Sequence, residues 1–252
     1  MPTRPTIDIF QLESFRVTFF KTTPSEPSPD LFASLLGVPP ISSQTVNMPI
    51  KTILSDGVVE NVRFTVEDSI HAINLVFYGI DQVNPLDGAQ LPAISFQRSL
   101  EVLGHLWTKV HAKPGLLNTP RMAIAPVYFI PVDDKVSGYE VVSKFIPFAV
   151  NGQTSSDFLF QINNPALKDL PNGKKYTLNT LVQLSVAIIS SFAVGLSGPG
   201  IPAFLPKEVY RARFQFDVNN APASVLEAAE ADVIYRDSVA NIGRILVEGI
   251  SL

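Results

Sequence analysis

Three histidines, His71, His105 and His111, and a few aspartates are the residues of this 252-residue chain whose types suit acid–base or metal chemistry. His105 and His111 stand six apart in a segment with helical periodicity, which puts them on different faces. A metal-binding histidine pair on a helix needs a spacing of i, i+4. Both read as surface or core-edge histidines. His71 follows Asp68 at the start of a strand-like run, where a His–Asp pair is conceivable. Ser197 lies in Gly195–Gly200 (GLSGPG), but a nucleophile elbow needs glycine two residues after the serine, and Pro199 stands there. No Gly-Lys-Ser/Thr follows these glycines either, so they read as a turn and not a phosphate loop. Asp133-Asp134 and Asp81 with Asp87 are the carboxylate clusters; beside Gly138 and Gly88 they read as solvated turn acids. Trp107 falls on an apolar helix stripe and reads as core. There is no cysteine, so disulfides and thiol chemistry are out, and a zinc site would need His and carboxylates alone. The expectation is no catalytic residue, no metal ligand and no cofactor, with ligand-binding residues unassigned.

Any such residue must be held by elements, and the composition bounds these. Apolar residues make up 46% of the chain and charged residues 17%, below the usual ~25%. Such a chain can bury a real core and covers much of its surface with its own layers or a partner. The net charge is −4, and Lys and Arg are scattered without the basic stripe of a nucleic-acid binder. The opening MPTRPTIDIF has neither the apolar core of a signal peptide nor a basic amphipathic transit pattern, so a cytoplasmic protein is expected.

The run from Thr177 to Pro206 has no charged residue and is long enough on paper to cross a membrane as a helix. Its period argues otherwise. From Tyr176 to Leu196, nine of the eleven even positions are apolar, while the odd positions are mixed and partly polar. Alternation of this kind marks a strand. A bulge, bend or break near Ser190-Ser191 is expected, because single strands of this length are unusual. FRVTF at 15–19, VRFTV at 62–66, INLVF at 73–77 and YRARFQFDV at 210–218 alternate likewise, as antiparallel strands with one wet face do. Asn151-Gly152 and Asn172-Gly173 read as hairpin turns.

Two amphipathic helices are expected. Ser95 caps one with Phe96, Leu100, Leu103, Trp107 and Val110 on its apolar face, ended by Pro114-Gly115. The second starts after Asn219-Asn220 with Pro222 in its first turn. Its stripe is Val225, Ala228, Tyr235, Val239, Ile242 and Leu246, with Glu227, Glu230, Asp232 and Arg236 off the stripe. A short helix spans 29–36, capped by Ser28 and stopped by Gly37. Six prolines between 22 and 57 predict an arm or connection outside the core. The halves 1–114 and 115–252 each run strands then helix, and QVNP at 82–85 and DVNN at 217–220 hint at duplication. The expected class is α+β: mainly antiparallel sheet of long strands with helices packed on it, in two similar β-rich halves or one continuous domain.

The F-x-V-x-F strand, the proline-rich stretch after it, TPRMAIAPVYFIPV entered through Arg121, and FQFDVNNAP before a long helix together resemble a sporadically distributed, uncharacterised bacterial family. In that family a second Arg and an Asn usually follow the mid-chain Arg; Ala125-Pro126-Val127 stand there instead. The resemblance implies a bacterial or phage-related setting and no particular activity.

The functional expectation is a non-enzymatic intracellular protein that binds another protein or itself, with no membrane and no nucleic acid involved. The alternative is an apolar small molecule held between the sheet and the C-terminal helix, lined by Phe158, Phe160, Phe214 and Phe216. A third reading is an enzyme whose Asp and His residues meet only in the fold.

Overall fold

The computed structural model describes residues 4–47, 49–79, 92–146, 158–196, 202–221 and 225–250, with the backbone alone at 114, 190–196 and 202–207. Nine strands form one antiparallel sheet. In chain order they are β1 (Gln11–Phe20), β2 (Ser42–Val46), β3 (Thr52–Val59), β4 (Val62–Ser69), β5 (Ala72–Tyr78), β6 (Met122–Val132), β7 (Leu159–Asp169), β8 (Lys175–Leu196) and β9 (Pro202–Asn220). Across the sheet they lie β2-β3-β4-β5-β1-β6-β9-β8-β7. The helices are α1 (Leu31–Leu36), α2 (Phe96–His111), α3 (Pro114–Leu117), α4 (Lys135–Ser143) and α5 (Ala228–Glu248). The fold is α+β, as the alternating strands and two amphipathic stripes predict.

The order repeats. A central strand (β1 or β6), a helix (α1 or α4), a meander of strands and a long helix (α2 or α5) occur twice, and β1 pairs with β6 at the centre. Each long helix carries a buried serine followed by large apolar residues at one spacing: Ser99, Leu103, Leu106 and Trp107 in α2, and Ser238, Ile242, Ile245 and Leu246 in α5. QVNP falls outside the described residues; the repeated element order and this helix spacing are what the two parts of the chain share.

Among the described residues, the side-chain contacts that tie the helices to the sheet fall on one face. Tyr128 of β6 shares a 2.8 Å hydrogen bond with Ser99 of α2, Thr180 of β8 accepts from Asn241 of α5, and Phe19 of β1 stacks on Trp107. Burial pushes the Tyr128 hydroxyl's pKa well up, so it stays protonated within this core. Phe214 and Phe216 of β9 are buried on the same face, Phe214 packed edge-on against Phe10 and Phe145.

The described part of the long uncharged run is strand, in β8 to Leu196 and in β9 from Pro202. β8 pairs with β9 in unbroken register from Leu178↔Asn220 to Leu196↔Pro202, without the expected bulge or break at Ser190-Ser191. A partner of matching length lets the strand run on, because each added rung satisfies its backbone groups. The Asn172-Gly173 turn forms with Gly173 at φ 78°; Asn151-Gly152 is outside the described residues.

Other expectations are corrected. The proline-rich 22–57 segment is no free arm: it supplies α1, whose Phe32, Leu35 and Leu36 are buried, and strands β2 and β3. Its N-cap position is Asp30, not Ser28, and Asp30 makes no side-chain capping bond; Gly37 ends it at φ 81°. Pro114 opens the short α3 after α2 has already ended at His111. Asp133-Asp134 do not sit in a plain turn. Asp134 caps α4, accepting from the Ser137 amide at 2.8 Å while its own amide donates to the Ser137 hydroxyl. Gly138 masked this helix in the sequence, since glycine disfavours helix interiors. The packing explains it: a Cβ there would lie 2.7 Å from Val186 Cγ1.

The C-terminal helix begins at Ala228, later than Pro222 suggested, because Glu227 and Glu230 form a capping box. Glu230 is therefore buried and not on the wet face. It accepts from the Glu227 amide, from Asn172 Nδ2 and from Lys174 Nζ. The Glu227 amide first, then Asn172 and Lys174, hold its carboxyl below the ordinary range. A depressed folded-state pKa stabilises above the unfolded value, about 4.3 for Glu, and the contribution is lost as pH falls through the folded value. Glu230→Gln is expected to lower the melting temperature at pH 7, with the gap to wild type closing as pH is lowered below about 4.3. A gap of constant size down the acid series would contradict the linkage.

Candidate functional site

The residues singled out for chemistry do not converge. Asp68 is buried and accepts from the Ser28 amide at 2.7 Å, while its other oxygen pairs with Lys21 Nζ at 2.8 Å. His71, exposed in the β4–β5 turn, is not its partner. His105 is exposed on α2. His111 ends α2 and bonds Asp232 of α5 at 2.7 Å, sharing that oxygen with Trp107 Nε1. Trp107 is core as expected and stacks on Tyr235 at 4.2 Å between centroids. This cluster ties the two long helices together; burial first and the Asp232 carboxylate second push the Tyr235 pKa up. Ser197, Asp81 and Asp87 lie outside the described residues. Among the described residues, no group of three or more His, Asp or Glu is placed to hold a metal ion.

Among the described residues, the depression under α5 is not lined by any of the four phenylalanines. Phe214 and Phe216 are buried, and Phe158 packs edge-on against Tyr139. The depression between β7, β8 and α5 is about 180 Å³ and is bordered by Ile162, Leu178, Thr180, Asn241 and Ile245 among others, none of them a phenylalanine.

The strongest polar feature lies on the opposite face, where no helix among the described residues packs. Strand alternation that sends Phe15 and Val17 into the core sends Ser14 and Arg16 outward, and β9 sends Arg211, Arg213, Gln215 and Asp217 the same way. Over the central strands Ser14, Arg16, Arg213, Gln215 and Asp217 border a basin of about 320 Å³ floored by Ala125, Val127 and Val76. Arg213 forks onto Glu13 with contacts of 2.9 and 2.7 Å. Glu67 accepts from Asn74, which in turn accepts from Thr18. Asp217 accepts from Asn219 at 2.9 Å. Among the described residues the arrangement is one bidentate ion pair with amide bridges around it, and no nucleophile stands beside a base there. Sequence reading identified the alternation here but not the site. Glu13 and Arg213 are 200 residues apart, and no local signal joins them.

Helices on one side of a single antiparallel sheet, with an open polar face on the other, define a two-layer α+β protein. No protein-family model, curated protein or solved structure matches the chain. No helix of the described residues is long and apolar enough to cross a membrane.

Proposed function

We propose that this is a non-enzymatic intracellular interaction protein that binds another protein chain or its own copies, in the bacterial or phage-related setting the sequence resemblance implies. The β8–β9 ribbon is its contact element, and the ribbon's backbone pairing is the observation that carries the reading. β7 stops pairing with β8 at Ser185, and β6 stops pairing with β9 at Tyr210. Beyond these, from Ile189↔Val209 to Leu196↔Pro202, the two strands pair only with each other among the described strands.

An isolated two-stranded hairpin is marginal in water. Apart from Lys207, Glu208 and Val209, this one is drawn from the stretch that has no charged residue between Thr177 and Pro206, and proteins ordinarily place charges along free edges to prevent pairing with other chains. Ile188 at the base of the ribbon is 49% exposed. A two-stranded ribbon of this kind, whose charged residues are Lys207 and Glu208 near its base, is stabilised when another chain covers it.

Light scattering over a range of concentrations tests the reading, with Ile188→Asp and a ribbon shortened symmetrically beyond Ile189 and Val209 as variants. Association of the wild type, lost in both variants at an unchanged melting temperature, is expected. A wild type that is monomeric throughout, with variants equal to it in mass and solubility, would overturn the proposal.

A further inference from the structure

We propose that the depression between α2 and the β3–β4 hairpin is a binding site for a free amphipathic carboxylate, its chain on the apolar floor and its head group on α2. The pocket is about 310 Å³, within the range of small-molecule sites (~300–1,000 Å³). Leu36, Val59, Val62, Phe64, Val102 and Leu106 make its apolar part. One stripe of α2 crosses its mouth: Arg98, Val102, His105 and Lys109, at spacings of four, three and four, fall on one helix face. Arg98 and Lys109 are fixed cations, His105 adds donors, and Glu60 is the single carboxylate in the lining.

Existing contacts leave donors to spare. Lys109 Nζ gives one hydrogen bond to the Leu36 carbonyl at 2.9 Å, and an ammonium has three protons. Arg98 uses one nitrogen on Glu101, outside the lining, at 2.9 Å. The opposite rim is strained: Glu60 and Asn61 both take positive φ, 51° and 62°, in a two-residue turn that ordinarily favours Asn-Gly. A glutamate held in that region is an outlier of the kind that collects at ligand-binding edges.

The second half of the fold is an internal comparison. In the equivalent place under α5, Asn241, Arg244 and Ile245 stand at the spacing of Val102, His105 and Leu106. There the gap has closed to about 180 Å³, and Asn241 Nδ2 bridges helix to sheet by donating to Thr180 Oγ1 at 2.6 Å. The first half has an apolar valine where that bridge begins, and its pocket is wider. The inference is independent of the ribbon, which belongs to the other half of the sheet, so either can fail alone.

Isothermal titration with decanoate below its micelle concentration tests the site, with decyltrimethylammonium as the cationic counterpart and anionic phospholipid vesicles as a membrane source of the same chemistry. Expected are saturable one-to-one binding of decanoate, about tenfold weaker binding of the cation, and no uptake onto vesicles. His105→Glu should weaken decanoate about tenfold, and Glu60→Gln should tighten it severalfold. Val102→Phe should abolish binding by filling the floor; the two exposed variants carry the test if this one does not fold. Absence of saturable decanoate binding, indifference to both His105→Glu and Glu60→Gln, or preference for vesicles over free decanoate would each overturn the proposal.

Discussion

Phe214→Ala is expected to destabilise the protein by about 3–5 kcal/mol, while Gln215→Ala, one residue on, should cost well under 1 kcal/mol. The contrast follows from the pleat. Phe214 is buried on the helix face of β9, with its ring 5.0 Å from Phe10 and 4.8 Å from Phe145, both near 73°. Truncation removes apolar burial and two edge-to-face ring contacts, and it leaves a cavity walled by β-sheet and by the segment after α4 that cannot readily collapse. Gln215 faces the open side, paired in register with Gln183 of β8 and Val127 of β6. For a chain of this length each kcal/mol moves the melting temperature by roughly 2–4 °C, so the first variant should melt visibly early and the second near wild type. Equal melting temperatures would mean that the two faces of β9 are not distinguished by burial.

Asp68→Ala is expected to cost about 3–5 kcal/mol, because it strips the partner from a buried charge. The Asp68 carboxylate lies at the end of β4 with 5% of its side chain exposed, and Lys21 beside it is 12% exposed. Losing Asp68 leaves the Lys21 ammonium without its ion pair and the Ser28 amide without its acceptor. The Ser28 amide belongs to the proline-rich segment, so the same change should loosen that segment's attachment to the sheet. Removing the charge at both ends, in Asp68→Ala with Lys21→Met, should recover a large part of the loss, since the stranded charge goes with its partner. Chemical denaturation of the two single variants and the double variant measures this directly. Strictly additive losses would show that the pair is not coupled.

What the sequence determined by itself was local and periodic. Alternation from Tyr176 to Leu196 identified a strand where hydropathy alone allowed a membrane helix, because side-chain period is set by backbone geometry and needs no partner to be read. Ser95 marked the start of α2 for a similar reason: a cap acts three residues away, on the Arg98 amide at 3.2 Å. Tertiary structure decided whatever depended on distant chain. Gly138 reads as part of a turn until Val186, 48 residues on, is seen to leave no room for a Cβ in the helix there. The prolines of 22–57 read as an arm until Asp68 is found holding the Ser28 amide. Glu230 reads as an exposed acid until Asn172 and Lys174 arrive to bond it. The placing of β1 beside β6 and of β6 beside β9, and with it the open polar face and the Glu13–Arg213 fork, came from pairing between strands far apart in the chain, such as Arg16↔Ala125 and Tyr128↔Phe214. Such contacts are selected by the free energy of the assembled sheet, where burial and backbone pairing outweigh local preference, so no short window of sequence carries them.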